Sequence, residues 1–127
     1  MVKHLPYRYR DDSYPAAEAA LAARDQGKFR EMHLLLLDRS PKLDRASLIG
    51  CAKELKLDVP RFTKDLDTMR HKMEIDRDVK LAEALDLYNT PTIFINGVKL
   101  PGDRPFEAYK AVIDQELKAA GPGGKKP

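Results

Sequence analysis

The stretch TPTIFINGVKLPG, Thr90 to Gly102, constrains the fold more than any other part of the chain. Asn96-Gly97 is the favoured dipeptide for a two-residue hairpin turn, because both central positions need positive φ. The β-branched and aromatic run Thr92–Ile95 reads as a strand, and Val98–Leu100 as its return. Along the first strand Ile93 and Ile95 point one way, Thr92 and Phe94 the other. Both faces are largely apolar, so this strand is expected to be covered on both sides.

The rest of the chain reads mostly as helix. Pro15–Gln26 is alanine-rich and begins with a proline suited to a first turn. Gly27 ends it. Phe29, Met32, Leu35 and Leu36 then recur at helical spacing, up to the break at Ser40-Pro41. Asp44 is placed to cap a helix in which Leu48, Cys51, Ala52 and Leu55 share a face. Asp58 is placed to cap the next, with Pro60 in its first turn. In the following segment Ile75, Val79 and Ala82 form a stripe that Leu81 and Leu85 widen, and the helix is expected to run to Tyr88-Asn89. Pro105 opens a last helix with Phe106, Tyr109, Val112 or Ile113, and Leu117 inward. At the start, Val2, His4 and Pro6 alternate with Lys3, Leu5 and Tyr7, which predicts a strand over Val2–Tyr9. That strand and the hairpin are expected to share one sheet, with the helices between them as an inserted layer. A strand so close to Met1 points to a segment upstream.

Composition excludes several functions. The chain has 127 residues, 23 basic and 20 acidic, and a net charge of +3. Its charges are interleaved rather than gathered on a basic face with stacking aromatics, so nucleic acid is not an expected partner. No apolar run approaches the ~20 residues of a membrane span. The opening MVKHLPYRYR has neither the apolar core nor the cleavage site of a signal peptide.

Candidate chemistry is sparse. Cys51, the single cysteine, lies mid-helix beside Ala52 and has no second thiol to resolve it, so it reads as a small core hydrophobe. His4, His33 and His71 lack metal-ligand spacing with one another or with Cys51. His71 falls in a charged junction. Asp65–Asp67 and Glu74–Asp76–Asp78 are spaced by two on helices, which does not converge carboxylates. Ser13, Ser40 and Ser47 have no nucleophile-elbow context. No catalytic residue, metal or cofactor is expected.

TPTIFINGVKLPGDRPFEAYKAVIDQEL resembles the C-terminal part of the DsbA-like thiol–disulfide oxidoreductases, which have a thioredoxin fold with an inserted helical domain. AAEAALAARDQGKFREMHLLLLD and LDRASLIGCAKELKLDVPRF resemble the inserted helices, and VKHLPY the strand after the active-site helix. The order is kept from Val2 to Leu117. The resemblance implies an α/β, mostly helical chain holding an incomplete DsbA-type thioredoxin-like fold. It would be one domain over 1–120, with the insertion over about 15–88, the hairpin and last helix over about 90–120, and a flexible tail over 121–127. It further implies that Pro91 is a cis-proline and that Thr90 and Pro91 form the loop that binds a substrate's backbone.

The family's Cys-x-x-Cys is absent, and by the resemblance it would lie before Val2. One thiolate of that motif attacks a disulfide and the other resolves the intermediate. The expectation is therefore a portion of a thiol–disulfide oxidoreductase, inactive as it stands. The intact parent would act on cysteine-containing proteins or peptides. The resemblance implies a periplasmic or other extracytoplasmic bacterial location, where disulfides persist. Without the strand that feeds the active site, the unpaired sheet edges invite a homo-oligomer. Two alternatives stand beside this: a cysteine-free peptide-binding or assembly module of the same fold, and a glutathione-dependent relative of the kappa-class transferases and chromene-carboxylate isomerases.

Overall fold

The computed structural model describes residues 1–7 and 11–122. The chain forms two compact units, Met1–Ala84 and Leu85–Pro127. Among the described residues the first holds five helices: α1 (Ser13–Asp25), α2 (Phe29–Arg39), α3 (Arg45–Glu54), α4 (Val59–Asp67) and α5 (Lys72–Ala84). The second holds a hairpin of β1 (Thr92–Ile95) and β2 (Val98–Pro101), followed by α6 (Phe106–Ala120). The architecture is mostly helical with a small sheet, as the fold-class reading expects.

The first unit is built around α1, which packs against α2, α3, α4 and α5. Its alanines explain why one helix can meet so many neighbours. Ala19, Ala20, Ala22 and Ala23 are buried, and short side chains let ridges of adjacent helices approach closely. Into that seam come Met32 and Leu36 from α2, Leu48, Cys51 and Ala52 from α3, and Phe62 and Leu66 from α4. Phe29, Leu35 and Leu55 pack on its margin. The apolar periodicity of α2 and α3 therefore marks the true inward faces.

Helix ends follow local chemistry. The Asp58 side chain accepts the Arg61 N–H at 3.1 Å, at the start of α4. Asp44 occupies the cap position of α3 without a side-chain bond to its backbone; Ser47 Oγ donates to Asp44 instead. Three helices close by the same pair of backbone bonds beyond their last turn. After α1, Gly27 N–H donates to Arg24 O and Lys28 N–H to Ala23 O. After α3, the donors are Lys56 and Leu57, and after α4, Met69 and Arg70. This pattern needs one residue at positive φ. Gly27 meets that need without strain at 75°, whereas Lys56 at 57° and Met69 at 50° are side-chain-bearing residues in the left-handed region.

Several expectations are corrected. Met1–Tyr7 carries no strand, so the expected sheet shared between the chain start and the hairpin is not formed by the described residues; the last part of the expected Val2–Tyr9 strand lies outside them. The physical reason lies in other partners. His4 N–H donates to Asp78 at 2.9 Å, Tyr7 N–H donates to Ser13 Oγ at 2.9 Å, and Pro6 has no N–H to offer a ladder. Helix α5 stops at Ala84, short of Tyr88, because Asp86 turns into the left-handed region at φ 55°. The hairpin strand is not covered on both sides: Ile93 is 38% and Phe94 45% exposed. On α6, Tyr109 and Val112 are half-buried, while Phe106, Ile113 and Leu117 are exposed. Leu81 and Leu85 are exposed as well. The expected tail, 121–127, falls almost wholly outside the described residues.

Candidate functional site

The loop that leads into β1 is fixed by its own backbone and side chains. Thr92 Oγ1 donates to Asn89 O at 2.9 Å, closing the turn around Thr90-Pro91. The carbonyl of Pro91 accepts the Gly102 N–H at 2.8 Å, so the entrance of β1 is tied to the exit of β2. The Thr90–Pro91 bond is cis, and so is Ser40–Pro41. Thr90 and Pro91 are exposed.

The strands pair antiparallel with Thr92 opposite Pro101, Ile93 opposite Leu100, Phe94 opposite Lys99 and Ile95 opposite Val98. Asn96 and Gly97 take positive φ, 50° and 84°, as a two-residue turn requires. The turn is steadied by Asn96 Nδ2, which donates to Glu116 Oε2 on α6 at 3.4 Å. Beyond β2, Arg104 Nε donates to Pro101 O at 2.9 Å, and Arg104 N–H donates to the Tyr109 hydroxyl at 3.2 Å. Sequence, turn and helix thus make a small braced platform. Among the described residues the sheet has these two strands alone.

The residues weighed as reactive are accounted for in the first unit. Cys51 is buried with no exposed surface, and burial pushes its thiol pKa up, away from the thiolate that exchange requires. The acidic clusters are partnered rather than convergent. Asp67 receives two bonds from Arg45, both 2.9 Å. Glu74 receives two from Arg24, at 2.7 and 2.8 Å, and that guanidinium holds its carboxyl below the usual range. Asp76 accepts from Lys72 and from the Tyr14 hydroxyl. His33 stacks on Phe29 and His4 meets that ring edge-on; burial lowers the His4 pKa against the pull of Asp78. Among the described residues no group of His, Cys, Asp and Glu could hold a metal ion.

Glu18 was not among the residues singled out from the sequence. It sits among the alanines of α1, fully buried, and both its oxygens accept the His71 N–H, at 2.9 and 3.0 Å. Desolvation raises its pKa. A helical wheel places Glu18 on the apolar face, and that mismatch was the available signal. Asp78, also buried, fell inside the Ile75–Val79–Ala82 stripe and could have been found the same way.

The comparisons with known proteins agree with this geometry. A family profile described as "DSBA-like thioredoxin domain" matches residues 3–114. The chain is similar to a solved thioredoxin-like oxidoreductase from Silicibacter pomeroyi DSS-3, with a TM-score of 0.81, 29% identity, and coverage of 93% of this chain and 68% of that one. It is also similar to part of the Na(+)/H(+) antiporter NhaA 1 of Salinispora arenicola, 42% identical over 87% of this chain and 17% of that protein. A further relative is the Na(+)/H(+) antiporter NhaA of Herminiimonas arsenicoxydans, 37% identical over 90% of this chain and 18% of that protein. The chain thus spans less than a fifth of the length of these curated relatives. With nearly its whole length matched, the chain belongs to the DsbA-like thioredoxin family.

Proposed function

We propose that this chain is the substrate-holding part of a DsbA-like thiol–disulfide oxidoreductase and carries out no disulfide exchange by itself. The observation that carries the reading is the exposed Thr90-Pro91 loop running into a strand with few ladder partners, in a chain whose one cysteine is buried. An extended peptide can add to such a strand by main-chain hydrogen bonds, with its side chains seated alternately. Thr90 and Pro91 would present the first contacts, and Ile93 and Phe94 the apolar surface beside them. The intact protein would act on cysteine-containing proteins or peptides, outside the cytoplasm of a bacterium, where disulfides persist.

The test is a titration of the chain with an extended peptide of alternating apolar residues whose cysteine is replaced by serine. Saturable backbone shifts at Thr90–Ile95, with none at α2 or α3, are the expected result. Shifts elsewhere, or none, would reject the reading. In parallel, the chain should leave a dithiol–disulfide reporter at its uncatalysed rate.

A second reading has one specific observation behind it: the relatives named as antiporters contain a region like this chain as less than a fifth of their length. On that reading the domain is an accessory module of a sodium/proton antiporter. An in-frame set of long apolar helices encoded upstream would favour it. An in-frame Cys-x-x-Cys roughly one ~30-residue βαβ unit upstream, with no such helices, would favour the first.

A further inference from the structure

Side-chain amides occur in the chain at Gln26, Asn89, Asn96 and Gln115, and two of these residues precede glycine. Gln26 stands before Gly27 and is held at both ends of its amide. Its Nε2 donates to Asp58 O at 3.2 Å, and its Oε1 accepts the Asp58 N–H at 2.7 Å. Asn96 stands before Gly97 and is held less firmly. Its Nδ2 donates to Glu116 Oε2 at 3.4 Å, longer than a typical N–H···O bond. Both turn residues are exposed. A Cβ at Gly97 would meet nothing within 4 Å, so the backbone there is open and no side chain shields the Gly97 nitrogen. Asn89 differs again. Thr90 follows it, and a β-branched side chain is stiff and crowds the nitrogen beside it. The Asn89 carbonyl is also tied, accepting from Thr92 Oγ1 at 2.9 Å.

We propose that Asn96 is a site of spontaneous covalent modification, where closure of its side chain onto the Gly97 nitrogen yields an isoaspartyl linkage that releases the turn from α6 and unpairs β1 from β2.

The Gly97 nitrogen gives its proton to hydroxide and attacks Cγ of Asn96. The new N–Cγ bond closes a succinimide ring. The Cγ–Nδ2 bond breaks, and Nδ2 takes a proton from water and leaves as ammonia. Water then opens the ring. Cleavage at Cγ gives aspartate, and cleavage at the Asn96 α-carbonyl gives isoaspartate. Nothing is oxidised or reduced. Either product replaces the Nδ2 donor by a carboxylate, so the bond to Glu116 is lost and like charges stand together. The isoaspartyl form also runs the backbone through Cβ, which lengthens the turn by one methylene. A two-residue turn with Asn96 and Gly97 at φ 50° and 84° matches the twist of its strands only at its own length. Ile95 and Val98 form the pair directly beside it. Little else holds the hairpin, since among the described residues β1 and β2 are the whole sheet, and two strands alone are marginal. Peptide binding along β1 would fall with the pairing; that consequence rests on the function proposed above, whereas the modification does not.

The test is ageing of the full chain in warm neutral buffer, without peptide, followed by peptide mass mapping and labelling with an isoaspartyl methyltransferase. The mass rise of amide-to-acid conversion, and the methyl label, should appear at Asn96 while Asn89 and Gln26 stay intact. Asn96→Gln, whose ring would need one more atom, should take up no label. Ion exchange under native conditions separates the modified chain by its added charge. Backbone NMR shifts of the separated isoaspartyl form should move to unfolded values through β1 and β2 and stay in place over α1 to α4. A chain that ages with Asn96 intact, or with Asn89 converting as fast, would overturn the proposal. So would an isoaspartyl form whose shift changes stop at Ile95 and Val98.

Discussion

At the residue scale the chain sets one buried acid against a wall of alanine, and its consequence has a definite sign. Burial raises the Glu18 pKa, so the folded chain binds that proton more tightly than the unfolded one. Its contribution to stability is greatest below the unfolded carboxyl value, near 4.5. It declines as pH climbs through the raised folded value. Glu18→Gln keeps an acceptor for the His71 N–H and removes the ionisation. Chemical denaturation from pH 4 to 7 should therefore show a shallower decline in this variant than in the native chain. Glu18→Ala leaves the His71 N–H without its partner and should cost about 1–3 kcal/mol at the acid end of that range, the cost shrinking as pH rises and the contribution of Glu18 declines. Phe62 tests the apolar side of the same core. It has no exposed surface and lies within the cluster of α1 to α4, so Phe62→Ala should lower unfolding stability by about 3–5 kcal/mol, read from the denaturant midpoint.

At the element scale, legibility tracked whether the deciding interaction was local. Asn96-Gly97, Gly27 and Asp58 announced a turn, a stop and a cap because each acts within a few residues of itself, and the structure has all three. The faces of α2 and α3 were equally plain, since Met32, Leu36, Leu48 and Cys51 repeat at helical spacing. The strand expected near Met1 failed because alternation says nothing of what competes for a backbone N–H, and here Asp78, far along the chain, takes that of His4. The reading of Thr90-Pro91 as a binding loop rests on likeness to a family alone, as no local rule makes a Thr-Pro pair a binding loop. Lys56 and Met69 were invisible for another reason: their backbone serves the closing bonds of α3 and α4 although neither residue favours positive φ. That gives a direct expectation. Glycine at position 56 keeps the closing bonds and removes the left-handed strain, part of which is offset by glycine's greater freedom when unfolded. Lys56→Gly should stabilise the chain by about 0.5–1 kcal/mol in equilibrium unfolding.

At the scale of the whole molecule, the second unit presents more apolar surface than a two-stranded sheet ordinarily leaves open. Ile93, Phe94 and Val98 are each at least 38% exposed, and Phe106, Ile113 and Leu117 are exposed on α6. A two-stranded hairpin is marginal without a third strand or further cover, and open strand edges pair with other chains. Peptide capture and self-association then draw on the same edge, so each should inhibit the other. Sedimentation velocity of the chain alone should show mass increasing with concentration. Phe94→Lys, which places a charge on the exposed strand without touching the Asn96-Gly97 turn, should return it to a monomer. A saturating extended peptide should do the same. A chain that stays monomeric at every concentration would reject self-association and leave peptide binding to stand on its own titration. A dimer that persists through both Phe94→Lys and added peptide would place the contact on a surface other than β1.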